Sequence, residues 1–317
     1  MTDRQEVEFA TLDGLTLRGW LYPAKGGRGP GIIMTPGSTQ FNIPKDMMLP
    51  EVAEAFQQAG ITALLYDPRS IGASDGTPRN EIDPCKQVED YSDALTFLAR
   101  QPAVDGSCCG FWGMSFGGTV AGCAAALDKR ARFVVMVCPL VRLYEPDKMA
   151  RLLAKAMKDR EAQAKGNAPF TLPLLTKAGD NPAGMNAGGG AEARELLDGL
   201  AARSPGYENR TTLQSYYRLA LWQPHGLMPL IAPTPVLVVV PENDQVSPFA
   251  AQAALFDSLQ GPKRKHVAGA RGHFNVLSGG PDVQAAQERF VRDALAGRLD
   301  GELGDGDGDV DGEHGGA

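Results

Sequence analysis

Apolar and polar positions change their period several times along the chain, and each change marks an element. Residues 7–10 and 15–22 alternate in polarity across Asp13-Gly14, the pattern of an antiparallel hairpin. Short runs at 31–34, 61–66, 108–112, 133–138, 235–240 and 265–268 predict further strands. The central runs are continuously apolar, as strands covered on both faces are. Helical periods fall between them at 46–59, stopped by Gly60, then at 89–100, after residue 118, at 250–259 and at 283–295. Strands alternating with helices predict an α/β chain with a mostly parallel central sheet flanked by helices, the hairpin extending one end.

The alternation is interrupted between the strands at 133–138 and 235–240. Met149, Leu152, Leu153, Ala156 and Met157 recur at helical spacing. A Pro-containing apolar loop at 170–175 and a Gly-rich stretch at 181–190 come next. Leu196, Leu197 and Leu200 predict a second helix, and Tyr216, Tyr217, Leu219, Leu221 and Trp222 a third. Residues 1–140 and 230–300 thus read as the core, and 141–229 as a helical insertion. Long insertions in compact domains are usually functional, so the expectation is a lid over the strand ends; the plainer reading is a packing extension. Leu174, Leu175, Tyr216, Tyr217 and Trp222 are its candidate substrate-binding residues, and exposed aromatics there would pack a second copy into a homodimer. Residues 301–317, Gly and acidic with almost nothing apolar, read as a disordered acidic tail. Asp305, Asp307, Asp309 and Asp311 alternate like calcium-loop ligands, but Val310 stands where that loop needs glycine.

Composition narrows the function. The 317 residues carry a net charge of -7 with no basic block, which argues against a nucleic-acid partner. The polar start has no apolar leader and no run reaches membrane-spanning length, so the expected location is cytoplasmic, off the membrane. Cys85, Cys108, Cys109, Cys123 and Cys138 fit reduced, mostly buried thiols. Without Cys-x-x-Cys or His-x-x-x-His spacing no metal is expected, and no cofactor.

The chemistry centres on Gly113-Met114-Ser115-Phe116-Gly117, a G-x-S-x-G pentapeptide between an apolar strand and a small-residue helix. In that context the pattern describes a turn so sharp that the serine hydroxyl is held out beside the helix N-terminus. A hydroxyl needs a base to become a nucleophile. His273, in the loop after the last strand, is the candidate; His266 lies inside that strand, His225 in the insertion and His314 in the tail. The base needs an acid to fix its tautomer. Asp244 comes after the strand at 235–240, with Glu242 as competitor. An oxyanion hole requires backbone N–H groups, which Phe116 and a residue after Met34 would supply. Pro36 has no N–H, leaving Gly37 or Ser38, and Ser38 is chosen.

The order Ser115, Asp244, His273, each after a strand, resembles that of the α/β-hydrolase superfamily, as does Asp67-Pro68-Arg69-Ser70-Ile71-Gly72-Ala73-Ser74. More narrowly, Lys45-Asp46-Met47-Met48-Leu49-Pro50, the same Asp67 loop continued through Asp75-Gly76, Glu81-Ile82-Asp83-Pro84 and Trp112-Gly113-Met114-Ser115-Phe116-Gly117-Gly118 are similar to fungal polyketide transferases and thiohydrolases of polyketide gene clusters. Pro36-Gly37 departs from the His-Gly of many relatives. The resemblance implies a serine-nucleophile acyltransferase or thiohydrolase acting on a polyketide-derived acyl thioester or ester, delivered by a polyketide synthase carrier domain. A carboxylesterase or lactonase for small apolar esters is the alternative, and a non-catalytic binding protein on the same scaffold the lesser one.

Overall fold

A computed structural model describes residues 3–36, 42–140, 146–184, 190–278 and 280–299. In chain order the elements of the first half are β1 (Gln5–Ala10), β2 (Thr16–Tyr22), β3 (Gly29–Thr35), α1 (Pro50–Gln58), β4 (Thr62–Tyr66), α2 (Pro84–Leu98), β5 (Val104–Met114), α3 (Phe116–Leu127) and β6 (Val134–Val137). The insertion holds α4 (Pro146–Ala164), β7 (Thr171–Leu172), α5 (Gly190–Ala201), β8 (Thr211–Thr212) and α6 (Leu213–Leu221). The chain then returns through β9 (Val236–Pro241), α7 (Phe249–Ser258), β10 (Lys263–Ala268) and α8 (Asp282–Leu295).

Eight strands form one sheet in the order β1-β2-β4-β3-β5-β6-β9-β10. The β1–β2 and β2–β4 pairs are antiparallel and the remaining pairs parallel. Successive side chains of a strand point to opposite faces, which divides the apolar runs between two cores. Ile33, Leu64, Phe111, Val134, Met136, Val236 and Val238 pack with Val88, Tyr91 and Leu95 of α2 and with the small residues of α3. Their neighbours Ile32, Met34, Ala63, Leu65, Trp112, Val135, Val137, Leu237 and Val239 pack with Val52, Ala53 and Phe56 of α1 and Val283, Phe290 and Val291 of α8. Continuous apolar strands are therefore what a sheet with helices on both faces requires.

Two helix starts differ from the sequence expectation. The helix expected from residue 46 begins at Pro50. Met48 has φ 66°, in the left-handed region, which breaks any helical run from residue 46, and Pro50 then opens the helix at its first turn. The helix expected from residue 89 begins five residues earlier, where the Asp83 carboxylate accepts the Lys86 N–H and Pro84 occupies the first turn.

The insertion is docked rather than suspended. Leu152, Ala156, Tyr216, Leu219 and Trp222 join the α2/α3-side core, while Leu175, Ala193, Leu197 and Leu200 form a separate cluster with Ile43 and Met47. Polar clamps fix it from outside. Arg218 donates to Glu81 at 2.8 Å and to Asp83 at 2.6 Å, Ser204 to Asp46 at 2.7 Å, and Asn42 to the Arg210 carbonyl at 2.8 Å. The acidic tail expected at 301–317 lies outside the described residues.

A buried ionic group pins the loop after β4. Arg69 Nε donates to Asp90 at 2.9 Å and its Nη1 to Asp13 at 2.9 Å. Burial pushes the Asp90 carboxyl up to about 6, and Arg69 opposes that rise. Arg69→Met is expected to cost about 3–5 kcal/mol of stability at neutral pH, because Asp90 is left buried without its counter-charge. Without Arg69 the Asp90 pKa rises further, so the folded variant binds a proton more readily than its unfolded chain does. The loss therefore shrinks as pH falls from neutrality toward 5. Urea unfolding of both proteins across that range measures it; a deficit that is small at neutral pH or grows in acid contradicts it.

Candidate active site

The parallel strands bring their carboxyl ends to one edge of the sheet, where sites of such folds form. Ser115 comes directly after β5, with φ 57° and ψ −124°. That conformation is strained for a residue with a Cβ and is the backbone of a strand-to-helix elbow. Glycine is required beneath it: a Cβ on Gly113 would collide with the carbonyl group of Gly117. The Ser115 N–H donates to Val137 at 2.8 Å, and its carbonyl accepts from Gly118 and Leu140 at 3.0 Å each. The turn is thus anchored to its own helix and to the exit of β6.

Asp244 lies in the loop after β9 and is 5% exposed. Oδ1 accepts the N–H groups of Val246 and Ser247 at 2.8 Å each, and Oδ2 accepts Gln252 Nε2 at 3.1 Å. His273, in the loop after β10, is equally buried. Its Nδ1 stands 2.8 Å from Asp244 Oδ2 and its Nε2 2.9 Å from Ser115 Oγ. An ionised carboxylate only accepts, which assigns the neutral ring's proton to Nδ1 and leaves Nε2 as acceptor for the serine hydroxyl. Burial disfavours the charged imidazole and is the largest single influence on it. Cys138 and Asp244 together outweigh that influence and hold His273 above its ordinary pKa.

Glu242, the competing acid, faces elsewhere: its Oε2 accepts the Ala270 N–H at 2.8 Å and ties down the loop that leads to His273. His266 sits in β10 with Nε2 3.9 Å from Asp282, and burial lowers its pKa. Phe116 is the first residue of α3, where a backbone N–H has no acceptor within the helix. Ser38 lies outside the described residues.

Of the five candidate substrate-binding residues, Leu174, Leu175, Tyr216 and Trp222 are buried and Tyr217 is half-buried. Trp222 reaches the elbow through the Phe116 ring, edge-on at 6.4 Å. Leu175 belongs to the cluster against which Phe274 packs, and Phe274 stacks edge-on to His273 at 5.4 Å. Leu174 and Leu175 donate their N–H groups to Asn209, and Tyr216 accepts from Asn181.

Cys138, Asp244 and His273 offer ligand atoms within 4.8 Å of one another, a set chemically suited to zinc. Both imidazole nitrogens and both carboxylate oxygens already have partners, so a cation could enter only by displacing one of these hydrogen bonds. Three contributors escaped the sequence reading. Gln252 braces the acid from α7, Ser247 Oγ donates to the Pro139 carbonyl at 2.7 Å, and Cys138 stands beside the ring. The last could have been found from its place, the final residue of an expected strand whose neighbours all end at the site.

The fold is that of the α/β hydrolases. Residues 32–287 match the family model described as "Alpha/beta hydrolase family", and the chain belongs to that family. It is 53% identical over 281 residues to a thiohydrolase of Eupenicillium brefeldianum, covering 88% of this chain and 90% of that protein. A polyketide transferase of Stachybotrys chlorohalonatus is 47% identical, over 90% of this chain and 95% of the relative. Among solved structures, DcsB in complex with its substrate analogue superposes with a TM-score of 0.86 at 44% identity, covering 92% of this chain and all of DcsB.

Proposed function

We propose that the protein transfers an acyl group from a polyketide-derived thioester or ester through a seryl ester on Ser115. The observation that carries the reading is the unbroken line from Ser115 Oγ through His273 to Asp244, at 2.9 and 2.8 Å. The thiohydrolase and polyketide transferase names of close relatives support the substrate class. His273 Nε2 takes the hydroxyl proton as Oγ attacks the carbonyl carbon. The Phe116 N–H and a second backbone N–H, expected at Ser38, donate to the oxyanion. As the C–S or C–O bond breaks, the imidazolium returns its proton to the leaving thiolate or alkoxide. A second nucleophile then gives a proton to His273, attacks the ester and releases the acyl chain, and Ser115 regains its proton.

Water as second nucleophile makes the protein a thiohydrolase; a hydroxyl or carbon nucleophile makes it a transferase. The clamped, apolar insertion favours transfer, because a lid that limits water lets the seryl ester wait for a cosubstrate. Tyr217 and Trp222, with Leu174, Leu175 and Tyr216, would shape the acyl pocket beneath it. No described helix is long and apolar enough to cross a membrane. A carrier domain of a polyketide synthase would deliver the donor in the cytoplasm, and the insertion would also serve homodimer contacts.

Partitioning tests the reading. With an acyl-N-acetylcysteamine donor and saturating polyketide-derived acceptor, ligated product is expected to exceed free acid. Free acid dominating across a range of acceptors would make the protein a thiohydrolase or esterase whose insertion only selects chain shape.

A further inference from the structure

Among the described residues one buried nucleophilic group at the site has no part in the acyl-transfer steps. Cys138 is fully buried at the exit of β6. The backbone there is held from both sides. Its own N–H donates to Val239 at 2.8 Å, the preceding carbonyl of Val137 accepts from Ser115, the next carbonyl, of Pro139, accepts from Ser247, and Leu140 donates to Ser115. The β6 exit therefore joins the serine's turn to the acid's loop. Within this frame Cys138 has φ 38°, in the left-handed region, although it carries a Cβ and precedes a proline. The geometry delivers Sγ to within 4.8 Å of both a His273 ring nitrogen and an Asp244 oxygen.

The surroundings leave the sulfur one role. Asp244 already accepts Val246, Ser247, Gln252 and His273, which fills its acceptor positions. The ring's two nitrogens face Asp244 and Ser115. Among the described residues the imidazole meets the carboxylate from the β9–α7 loop, the hydroxyl from the elbow, the Phe274 ring from its own loop and the Cys138 thiol from the exit of β6. The nearby charges Glu242 and Arg271 are engaged with Ala270 and Asp282.

We propose that Cys138 is a positioning residue of this site: its polarizable sulfur braces the His273 ring between Ser115 and Asp244 and favours the imidazolium that forms when the ring takes the serine proton. A sulfur beside a buried ring offers electron density to a cation. The direction agrees with the raised pKa of His273, to which Cys138 contributes. The inference rests on the acyl-transfer reading only for its catalytic consequence; the effect on the ring exists with or without substrate.

The test uses the full chain and two variants, Cys138→Ala and Cys138→Gly. Both remove the sulfur, and only glycine also relieves the positive φ. The His273 ring is titrated by ¹⁵N NMR without substrate, its signals assigned by comparison with His273→Gln. In both variants the midpoint is expected to fall by roughly one pH unit. The rising limb of kcat against pH for an acyl-N-acetylcysteamine should move down in parallel, with KM little changed and plateau kcat reduced about 5- to 20-fold. An unmoved or raised midpoint in both folded variants overturns the proposal, and so does a shift in Cys138→Ala that Cys138→Gly abolishes, since backbone strain would then be its cause. Should the midpoint fall while the wild type turns over no acyl donor, the positioning effect stands and the acyl-transfer reading fails.

Discussion

Ser115→Ala is expected to lower turnover of an acyl thioester by roughly four to six orders of magnitude, the scale of removing a serine nucleophile that acts as one unit with its base. The loss lies in the chemical step. Alanine keeps the backbone of the elbow, including the N–H that bonds Val137 and the carbonyl that accepts Gly118 and Leu140. It keeps the Phe116 N–H as well, so donor binding and the melting temperature should change little. Steady-state rates with thermal unfolding on the same sample separate the two effects. Activity within tenfold of wild type would remove Ser115 from the mechanism, and a collapse in stability would show that the hydroxyl supports the fold.

Asp244→Asn should be nearly as damaging, about ten-thousand-fold in kcat, the loss measured for the equivalent change in a known serine triad. The fold should survive, because an Asn oxygen can still accept the Val246 and Ser247 N–H groups that now bind Oδ1. The amide then turns its NH₂ toward His273. Nδ1 must become an acceptor, the ring proton moves to Nε2, and Nε2 can no longer take the hydroxyl proton of Ser115. Glu242→Gln is the control. Its carboxylate bonds the Ala270 N–H, a contact the amide oxygen of Gln can keep, and the effect should stay below about tenfold. A larger loss in Glu242→Gln than in Asp244→Asn would mean that the acid is Glu242.

Legibility in the sequence tracks locality. Strand runs such as 31–34 and 235–240 announce a two-sided sheet because successive residues such as Ile32 and Ile33 must each find a helix-covered core. The pentapeptide around Ser115 is readable because a strained turn admits few residues. Asp244 and His273 are readable from their place after strands, since parallel strands deliver their carboxyl-end loops to one edge. The Asp83-Pro84 cap is not part of the sequence reading, because the apolar period of the helix begins later and draws the expected boundary to residue 89. Long-range contacts leave no local mark. Arg69 meets Asp13 and Asp90, Arg218 meets Glu81 and Asp83, and Cys138 meets a ring far along the chain, each through tertiary packing that no window of sequence contains. The insertion shows the same limit: its apolar stripes are evident in the sequence, while the docking of Tyr216 and Trp222 into the main core is not.

The proposed reaction turns on a covalent acyl group on Ser115. Intact-mass measurement after brief mixing with an acyl-N-acetylcysteamine thioester, without acceptor, tests it most directly. A mass gain of one acyl group is expected in the wild type, mapped by peptide analysis to Ser115 and absent from Ser115→Ala. Acyl turnover by the wild type with no adduct under rapid quench, or an adduct that persists in Ser115→Ala, would contradict it.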